Sequence, residues 1–268
     1  MSEIPAVPEL GAASRTMLLT LAARARESRL DAPLFHDPEA EAVCNRLEIS
    51  ALGEDDWMTA NTVTVRTVVI DNLVRDFCAS HENAVCVNLG CGLDTRASRL
   101  GGSAQWYELD LPEVVSLRQR YMPDGGWEHC IASDVRDMSW ADSIPDAGAN
   151  TLIIAEGLLM YFDRAEACNI LSALSKRFPG STMIIELLST AAASHTELVE
   201  SISASGAVFR WGVDDAAELC ASCPELTLEY EAVLADLMHL RGEKFAEMYA
   251  QPEVRCYSNR VAVYSART

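Results

Sequence analysis

The ten residues VNLGCGLDTR (87–96) decide the fold of this chain. An apolar run ends here in two glycines, Gly90 and Gly92, that are one residue apart. Glycine lets the backbone bend sharply, and its missing Cβ lets a ligand approach the main chain closely. In nucleotide-binding α/β sheets such a turn joins the first strand to the first helix. The stretch therefore predicts a strand, a ligand-binding turn and a helix.

Short apolar segments alternate with helical patterns on the C-terminal side of this turn. This alternation predicts an α/β fold with a mostly parallel sheet and helices on both faces. Two longer strands toward the C-terminus leave little room for a helical crossover, so we expect the last of seven strands to be antiparallel. The predicted strands are 84–90, 105–110, 128–134, 150–157, 181–188, 227–236 and 255–266. The helices predicted between them are 94–100, 112–121, 163–178 and 241–250.

Residues 1–80 read as a helical leader that precedes the sheet. Helical periodicity covers 14–30 and 59–80, and a short helix is expected after Asp37. The first helix places Met17 and Leu21 on an apolar stripe, with Arg24 and Glu27 mostly off it. A second helix-rich region, 189–226, is expected on the substrate side, between strands five and six. We interpret residues 1–268 as one domain.

The composition predicts a folded protein in a reducing compartment. The chain has 268 residues, of which 49% are hydrophobic, and its mean hydropathy is +0.05. No apolar run approaches the roughly 20 residues that span a bilayer, and residues 1–10 lack a signal-peptide pattern. Nine cysteines are scattered, and the single CxxC pair, Cys220 and Cys223, is followed by no second pair. We therefore predict reduced thiols, no metal site and a cytoplasmic location.

The charge of the chain limits its partners. Forty acidic and 21 basic residues give a formal net charge of −19. Nucleic acids and anionic membrane surfaces would be repelled, so neither is an expected partner. A cationic small molecule would be tolerated.

Three acidic residues follow the glycine turn at the predicted strand ends: Asp110, Asp134 and Glu156. Ligands of open α/β sheets bind beyond the carboxyl ends of the strands. Asp110 lies 20 positions after Gly90, a spacing at which a carboxylate accepts ribose hydroxyls. Glu156 follows the apolar run LIIA, and burying a carboxylate without a partner is costly, which favours a functional partner. To this point a nicotinamide cofactor fits as well as any other nucleotide.

The residues after the turn favour a donor without phosphate. A dinucleotide site requires a third glycine, but Thr95 occupies that position and Asp94 stands beside it. A carboxylate there would repel a pyrophosphate and would suit an ammonium or sulfonium group. Asp134 could accept from the adenine amine, and Val135 could pack on the ring. These features together favour S-adenosylmethionine.

Four segments, VNLGCGLDTR, YELDLPEV, SDVRD and IAEGLLMYF, occur in this order. Together they resemble the leucine carboxyl methyltransferase family, which includes bacterial polyketide O-methyltransferases of the tetracenomycin type. The resemblance covers about residues 13–178. It implies a class I, Rossmann-like methyltransferase fold, S-adenosylmethionine as the cofactor and O-methylation of a small-molecule acceptor.

The resemblance also implies roles for individual residues. The glycine turn, including Cys91 where the family more often has alanine, would lie against the cofactor. Asp110 and Leu111 would hold the ribose, while Asp134 and Val135 would contact the adenine end. The remaining implied contacts are Glu156 near the methionine moiety, Arg66 with the cofactor carboxylate, Arg15 as a basic residue of the leader and Tyr161 as a catalytic residue on the acceptor side. Alternatively, Arg66 is a solvated surface charge, Asp134 a cap or a partner of Arg136, and Tyr161 a core aromatic.

The sequence does not determine which group accepts the methyl or whether a general base activates it. A carboxylate acceptor is already ionised at neutral pH, whereas a phenol would benefit from a general base. The absence of an obvious base favours a carboxyl acceptor, held by Arg210, Arg241, Lys244 or Arg255. His195 and His239 are either bases or surface residues. The rival functions are a nicotinamide-dependent oxidoreductase and a non-catalytic S-adenosylmethionine-binding protein.

Overall fold

A computed structural model describes residues 10–122, 129–145, 147–195 and 205–267. Its centre is a seven-stranded sheet in the order β3-β2-β1-β4-β5-β7-β6. The chain runs outward from β1 to β3 and then crosses back to β4, so the strand order reverses beside β1. The strands are β1 (Val85–Leu89), β2 (Gln105–Asp110), β3 (Cys130–Ala132), β4 (Thr151–Ala155), β5 (Thr182–Leu187), β6 (Leu226–Val233) and β7 (Arg260–Ala266).

The predicted sheet is confirmed in its strand count and directions. Strands β1 to β5 pair in parallel, and β7 pairs antiparallel with both β5 and β6. Every residue of β1 and β4 is buried, as expected for central strands covered by helices on both faces. The largest boundary error concerns β7, which begins at Arg260 and not at 255, because residues 252–255 form a short helix. Strand β6 ends three residues earlier than predicted, at Val233, because residues 234–241 turn into a 3₁₀-helix.

The predicted helices are present, most of them within two residues of the expected bounds. The leader forms α1 (Ala12–Ser28), α2 (Pro38–Leu47) and α3 (Trp57–Ser80). The α-helices within and after the sheet region are α4 (Arg96–Leu100), α5 (Pro112–Tyr121), α6 (Arg164–Arg177), α7 (Thr190–Ser194), α8 (Ala217–Ser222), α9 (Glu243–Tyr249) and α10 (Pro252–Arg255). The described helices include none long and apolar enough to cross a membrane.

Two charged residues of α1 are not solvated, contrary to the expected amphipathic pattern. Arg24 is buried and pairs with Asp37 at 3.0 Å, while buried Glu27 pairs with Arg241 at 2.7 Å. The reason is that α2 and α3 both pack on α1, so the helix has little solvent-facing surface. Buried charges of this kind persist because each is matched by an opposite charge.

The described part of the region 189–226 contains less helix than the sequence predicts. It contains the short helices α7 and α8, and residues 207–213 form no regular element. That irregular stretch lies on the sheet, because Val213 N donates to Leu188 O at 2.7 Å and Gly212 packs against Ser189. Residues 196–204 fall outside the described residues.

A buried carboxylate in β2 makes stability depend on pH. Burial raises the pKa of Glu108 from 4.5 to about 7, against the lowering effects of Arg118, whose Nη2 lies 3.7 Å away, and of the hydrogen bond from Asn88. The folded chain then holds this proton more tightly than the unfolded chain. The contribution of Glu108 to stability is therefore complete below about pH 4.5 and is lost as pH rises through about 7.

We expect Glu108→Gln to raise the free energy of unfolding at pH 8, by up to about 3 kcal/mol. The gain should be much smaller at pH 5, where the carboxyl group is already neutral. Urea unfolding at both pH values measures it, with the exposed Glu82→Gln as the matched control. An equal effect at both pH values would contradict the assignment.

Candidate active site

A cavity of about 880 Å³ lies at the carboxyl ends of β1 to β5. Ligand pockets commonly measure about 300–1,000 Å³, so this one is large enough for a nucleoside and a second molecule. It lies at the reversal of strand order, where open α/β sheets bind their ligands. Of the predicted residues, those that line it are Arg66, Gly90, Cys91, Gly92, Asp110, Leu111, Asp134, Val135, Glu156 and Tyr161.

The glycine turn has the backbone geometry that its sequence predicts. Gly90 and Gly92 have φ values of +62° and +49°, in the region that disfavours side chains. A Cβ on Gly90 would come within 2.8 Å of Leu158 Cδ1. Between them Cys91 is buried, and burial raises the pKa of its thiol well above the ordinary value, so the thiol stays protonated.

Two backbone amides fix the carboxylate of Asp110. Gly92 N donates to Oδ2 at 2.7 Å, and Leu111 N donates to Oδ1 at 2.7 Å. Burial raises the pKa of this carboxyl, while the two amide donors oppose that rise. Each oxygen has a second lone pair, so the carboxylate can accept from a ligand while the turn holds it in place.

Asp134 pairs with Arg136. The sequence left open whether Asp134 is a ligand contact, a helix cap or a partner of Arg136, and the structure shows the last of these. The shortest distance, from Arg136 Nη2 to Asp134 Oδ2, is 2.6 Å, and these hydrogen bonds lower the pKa of the carboxyl. Both residues line the cavity and remain partly exposed. Val135 is buried and belongs to the main core cluster. A contact between Asp134 and an adenine amine stays a prediction.

Two arginines and three carboxylates form a buried chain across the cavity floor, here called the arginine–carboxylate network. Arg96 contacts Asp94 at 2.5 Å and Glu156 at 2.7 Å. Arg66 contacts the other oxygen of Glu156 at 2.7 Å and Glu186 at 2.7 Å. Burial would raise the pKa of Glu156, but the two arginines outweigh it and lower that pKa.

The network revises two expectations from the sequence. Glu156 does not require a ligand as its partner, because Arg66 and Arg96 of the same chain pair with it. Arg66 is only 6% exposed, so it is not a solvated surface charge. Its Nε is buried and lacks a hydrogen-bond partner, although both terminal nitrogens are engaged. Arg66 also lines the cavity, so its guanidinium is a candidate contact for a ligand carboxylate.

Tyr161 lines the cavity next to the leader. Its hydroxyl lies 2.8 Å from Thr16 Oγ1, and its ring lies 5.6 Å from that of Phe209. Burial raises the pKa of this hydroxyl to about 12, against the lowering effect of the Thr16 bond. Tyr161 is therefore a neutral hydrogen-bonding group at pH 7 and not a general base.

Several residues with expected or candidate roles do not line the cavity. Arg15 is half-buried on α1, where its neighbours Ser14 and Thr16 do contribute to the lining. His195 and His239 are exposed and stand near main-chain carbonyls of their own segments. The four basic residues considered for a carboxyl acceptor also lie elsewhere: Arg210 and Lys244 are exposed, Arg241 pairs with Glu27, and Arg255 pairs with Asp236.

Four residues of the site were not predicted from the sequence, and the rule that ligands bind at strand ends reaches only one of them. Glu186 is the last but one residue of β5, close to the carboxyl end of that strand, so extending the strand-end rule to acidic residues within the last positions of the fifth strand would have identified it. Arg96 stands inside the stretch that decides the fold, yet nothing in its spacing shows that it is buried. Trp57 and Met58 line the cavity from the start of α3, which no strand-based rule reaches.

The chain shares its fold with solved structures that include a methyltransferase. A methyltransferase of Anabaena variabilis superposes with a TM-score of 0.51 at 15% identity, covering 76% of this chain and 85% of that chain. A DUF574 family protein of Streptomyces avermitilis superposes with a TM-score of 0.57 at 13% identity, covering 92% and 97%. At these identities the likeness concerns the fold alone.

Sequence comparison identifies the family. The model of the leucine carboxyl methyltransferase family matches residues 17–175. The chain is 27% identical to the tetracenomycin polyketide synthesis O-methyltransferase TcmP of Streptomyces glaucescens, over 90% of each chain. It is 26% identical to the S-adenosyl-L-methionine-dependent methyltransferase dpfgK of Gibberella zeae, over 81% and 80%.

This chain belongs to the leucine carboxyl methyltransferase family. It is an S-adenosylmethionine-dependent methyltransferase, as its sequence predicted. The comparisons favour this function over a nicotinamide-dependent oxidoreductase and over a non-catalytic binding protein.

Proposed function

We propose that this enzyme transfers a methyl group to an oxygen atom of a small molecule, of a class that includes polyketide-like metabolites. One observation carries the proposal. A single cavity is lined by both a fixed carboxylate, Asp110, and a buried guanidinium, Arg66, and it leaves room for a second molecule. The similarity to TcmP over 90% of each chain supports oxygen as the acceptor atom. We further propose a single-domain enzyme that works in the cytoplasm.

Different cavity residues are assigned to the ribose, the adenine and the methionine moiety of the cofactor. Asp110 accepts from the ribose hydroxyls, and Gly90 leaves the main chain open to the nucleoside. Asp134 and Val135 lie at the end of β3 and suit the adenine. Arg66 suits the carboxylate of the methionine moiety, close to Glu156. Arg15 has no role in this assignment, because it does not line the cavity.

Charge in the cavity suits a cationic donor. Nine acidic residues and three arginines line it, so a positive ligand is favoured over an anionic one. Bound S-adenosylmethionine supplies an electrophilic methyl group on a sulfonium. The chain itself contributes alignment of the acceptor oxygen and exclusion of water, which account for most of what a displacement of this kind requires.

Tyr161 is assigned to positioning the acceptor. We expect Tyr161→Phe to lower kcat about tenfold and to leave the pH dependence of kcat unchanged, because a hydroxyl with a pKa of about 12 is not a base at neutral pH. Initial rates from pH 6 to 9 would measure both quantities. The control is Tyr230→Phe, on the exposed face of β6. Loss of a basic limb in the pH profile would contradict the assignment.

A labelled-methyl assay tests the proposed function. The protein is incubated with S-adenosylmethionine carrying a labelled methyl group and a panel of small hydroxylated and carboxylated aromatic compounds. We expect label in an ether or an ester, identified by mass spectrometry. Label only on nitrogen or carbon would refute O-methylation. Isothermal titration completes the test: tight binding of NADH without binding of S-adenosylhomocysteine would restore the oxidoreductase, and binding without transfer would indicate a non-catalytic protein.

A further inference from the structure

Two segments outside the strand ends form part of the cavity lining, and together they are called the outer wall. One is residues 52–58, at the start of α3, and the other consists of Glu253, Val254 and Tyr257, around the end of α10. The outer wall does not include the glycine turn or the strand-end carboxylates assigned to the nucleoside. It is therefore available to the second molecule.

The outer wall is acidic. Glu54, Asp55 and Asp56 belong to its first segment and Glu253 to its second, and three of these four side chains are exposed. All 21 lysines and arginines of the chain fall within the described ranges, and only Arg24, Arg66 and Arg136 line the cavity.

Each of these three arginines already pairs with a carboxylate of the chain. The distances are 3.0 Å to Asp37, 2.7 Å to Glu156 and 2.6 Å to Asp134, respectively. An anionic acceptor in the outer half of the cavity would thus meet negative charge without an available cation.

Two arginines close to the outer wall, Arg26 and Arg255, do not line the cavity. Arg26 donates to the carbonyl oxygens of Gly53 and Leu52, at 2.9 and 3.1 Å, and so fastens the first segment from behind. Arg255 pairs with Asp236 at 2.5 Å. Arg26 partly offsets the charge of Glu54 and Asp56 from behind the segment, but neither Arg26 nor Arg255 lines the cavity, so neither one meets a bound molecule directly.

The same wall presents apolar surface. Trp57 is 45% exposed and Met58 is 39% exposed, and both line the cavity. The start of α3 is held in place, because the Asp56 side chain accepts from Thr59 N at 3.0 Å. Exposed large apolar side chains at a cavity signal binding, and an indole ring beside carboxylates attracts organic cations.

We propose that the outer wall binds a methyl acceptor that combines a flat apolar body with a positively charged group, and that it rejects acceptors bearing a carboxylate, sulfonate or phosphate. This inference rests on the proposed function, because it takes the outer wall as the place of the acceptor. It replaces the carboxyl acceptor favoured by the sequence: the four cations expected to hold that group do not line the cavity.

Two flat fluorescent probes of opposite charge test the proposal. Thioflavin T is a cation, and 8-anilinonaphthalene-1-sulfonate is an anion. Each is titrated into the full chain saturated with S-adenosylhomocysteine, at physiological ionic strength. We expect thioflavin T to bind at least tenfold more tightly than the sulfonate. Equal binding, tighter binding of the sulfonate, or no binding of either probe would overturn the proposal.

Two matched triple variants test whether the carboxylates of the outer wall cause the preference for the cationic probe. The triple variant Glu54→Gln, Asp55→Asn, Glu253→Gln should lose at least tenfold in affinity for thioflavin T. The control triple variant Asp76→Asn, Glu82→Gln, Asp142→Asn removes the same charge from exposed residues outside the lining, and it should retain that affinity. Equal losses in both would overturn the proposal.

A further variant probes the apolar part of the wall. Trp57→Ala should weaken thioflavin T binding and leave the affinity for S-adenosylhomocysteine unchanged. An unaltered thioflavin T affinity would contradict the role of the indole ring. Since none of these titrations requires methyl transfer, a failed labelled-methyl assay and a failed probe titration are distinct results. The first removes the proposed function, and the second removes only the charge preference of the outer wall.

Discussion

Replacement of Arg96 by methionine should destabilise the protein by about 3–5 kcal/mol, the range measured when one partner of a buried ion pair is removed. Arg96 is only 1% exposed and contacts Asp71 at 2.8 Å, Asp94 at 2.5 Å and Glu156 at 2.7 Å. Methionine matches much of the volume of arginine but leaves these three buried carboxylates with less compensation. We expect the loss to shrink at low pH, because protonation would neutralise them.

Urea unfolding at pH 5 and pH 8 measures this effect. Arg75→Met is a suitable control, because Arg75 approaches the same Asp71 at 4.0 Å but is 52% exposed. Exposed pairs contribute about 0–1 kcal/mol, so the control should change little. Arg96→Lys should recover only part of the loss, since a single ammonium does not reproduce the planar fork of a guanidinium. Equal effects of the methionine changes at positions 75 and 96 would refute the central role of Arg96.

Replacement of Asp110 by alanine should weaken cofactor binding about 10- to 100-fold, which corresponds to about 1–3 kcal/mol. The carboxylate does two things at once: it accepts from the amides of Gly92 and Leu111, and it faces the cavity. Its loss removes the acceptor for the ribose and also the bond that holds Gly92 in place. Titration with S-adenosylhomocysteine measures the change, and thermal unfolding of the same sample shows whether the variant is folded.

Asparagine at position 110 should rescue little of this loss. Both oxygens of Asp110 accept from main-chain N–H groups, so an amide nitrogen in either place would face another donor. Glu113→Gln is the control, because Glu113 follows in the first turn of α5 but does not line the cavity. Full retention of cofactor affinity in Asp110→Ala would leave Asp110 only the structural role of accepting from the amides of Gly92 and Leu111.

The sequence predicts those parts of this fold that depend on local periodicity. Strand β2 and helix α5 have the expected bounds, because an apolar segment and a proline at the first helical position define them locally. The sharp bend at the glycine turn also follows from the local sequence, and Gly90 and Gly92 do adopt positive φ. What periodicity cannot show is which charged residues the tertiary fold buries. Arg24 and Glu27 look like solvent-facing residues of α1 until α2 and α3 pack on them.

In the candidate site, too, some residues can be predicted from the sequence and others depend on the tertiary fold. Residues at strand ends, such as Asp110 and Glu156, follow from the topology of an open sheet. Their partners do not, because ion pairs join residues that are far apart in the chain, as Arg66 and Glu186 show. The acidic outer wall lies in connecting segments whose position depends on how the leader packs on the sheet. Sequence reasoning therefore predicted strand-end residues that line the cavity, whereas none of the four basic residues it considered for a carboxyl acceptor lines it.

The antiparallel strand β7 has a consequence for the order in which this protein matures on the ribosome. Strand β6 reaches the sheet only through β7, which is synthesised after it and lies between β5 and β6. Until residues 260–266 emerge, the hydrogen-bonding edge of β5 stays unpaired. Asn259, directly before β7, donates to Glu186 at 2.7 Å, so the cavity is completed in the same late event. Nascent chains that stop short of this strand carry an open, aggregation-prone edge and an unfinished site.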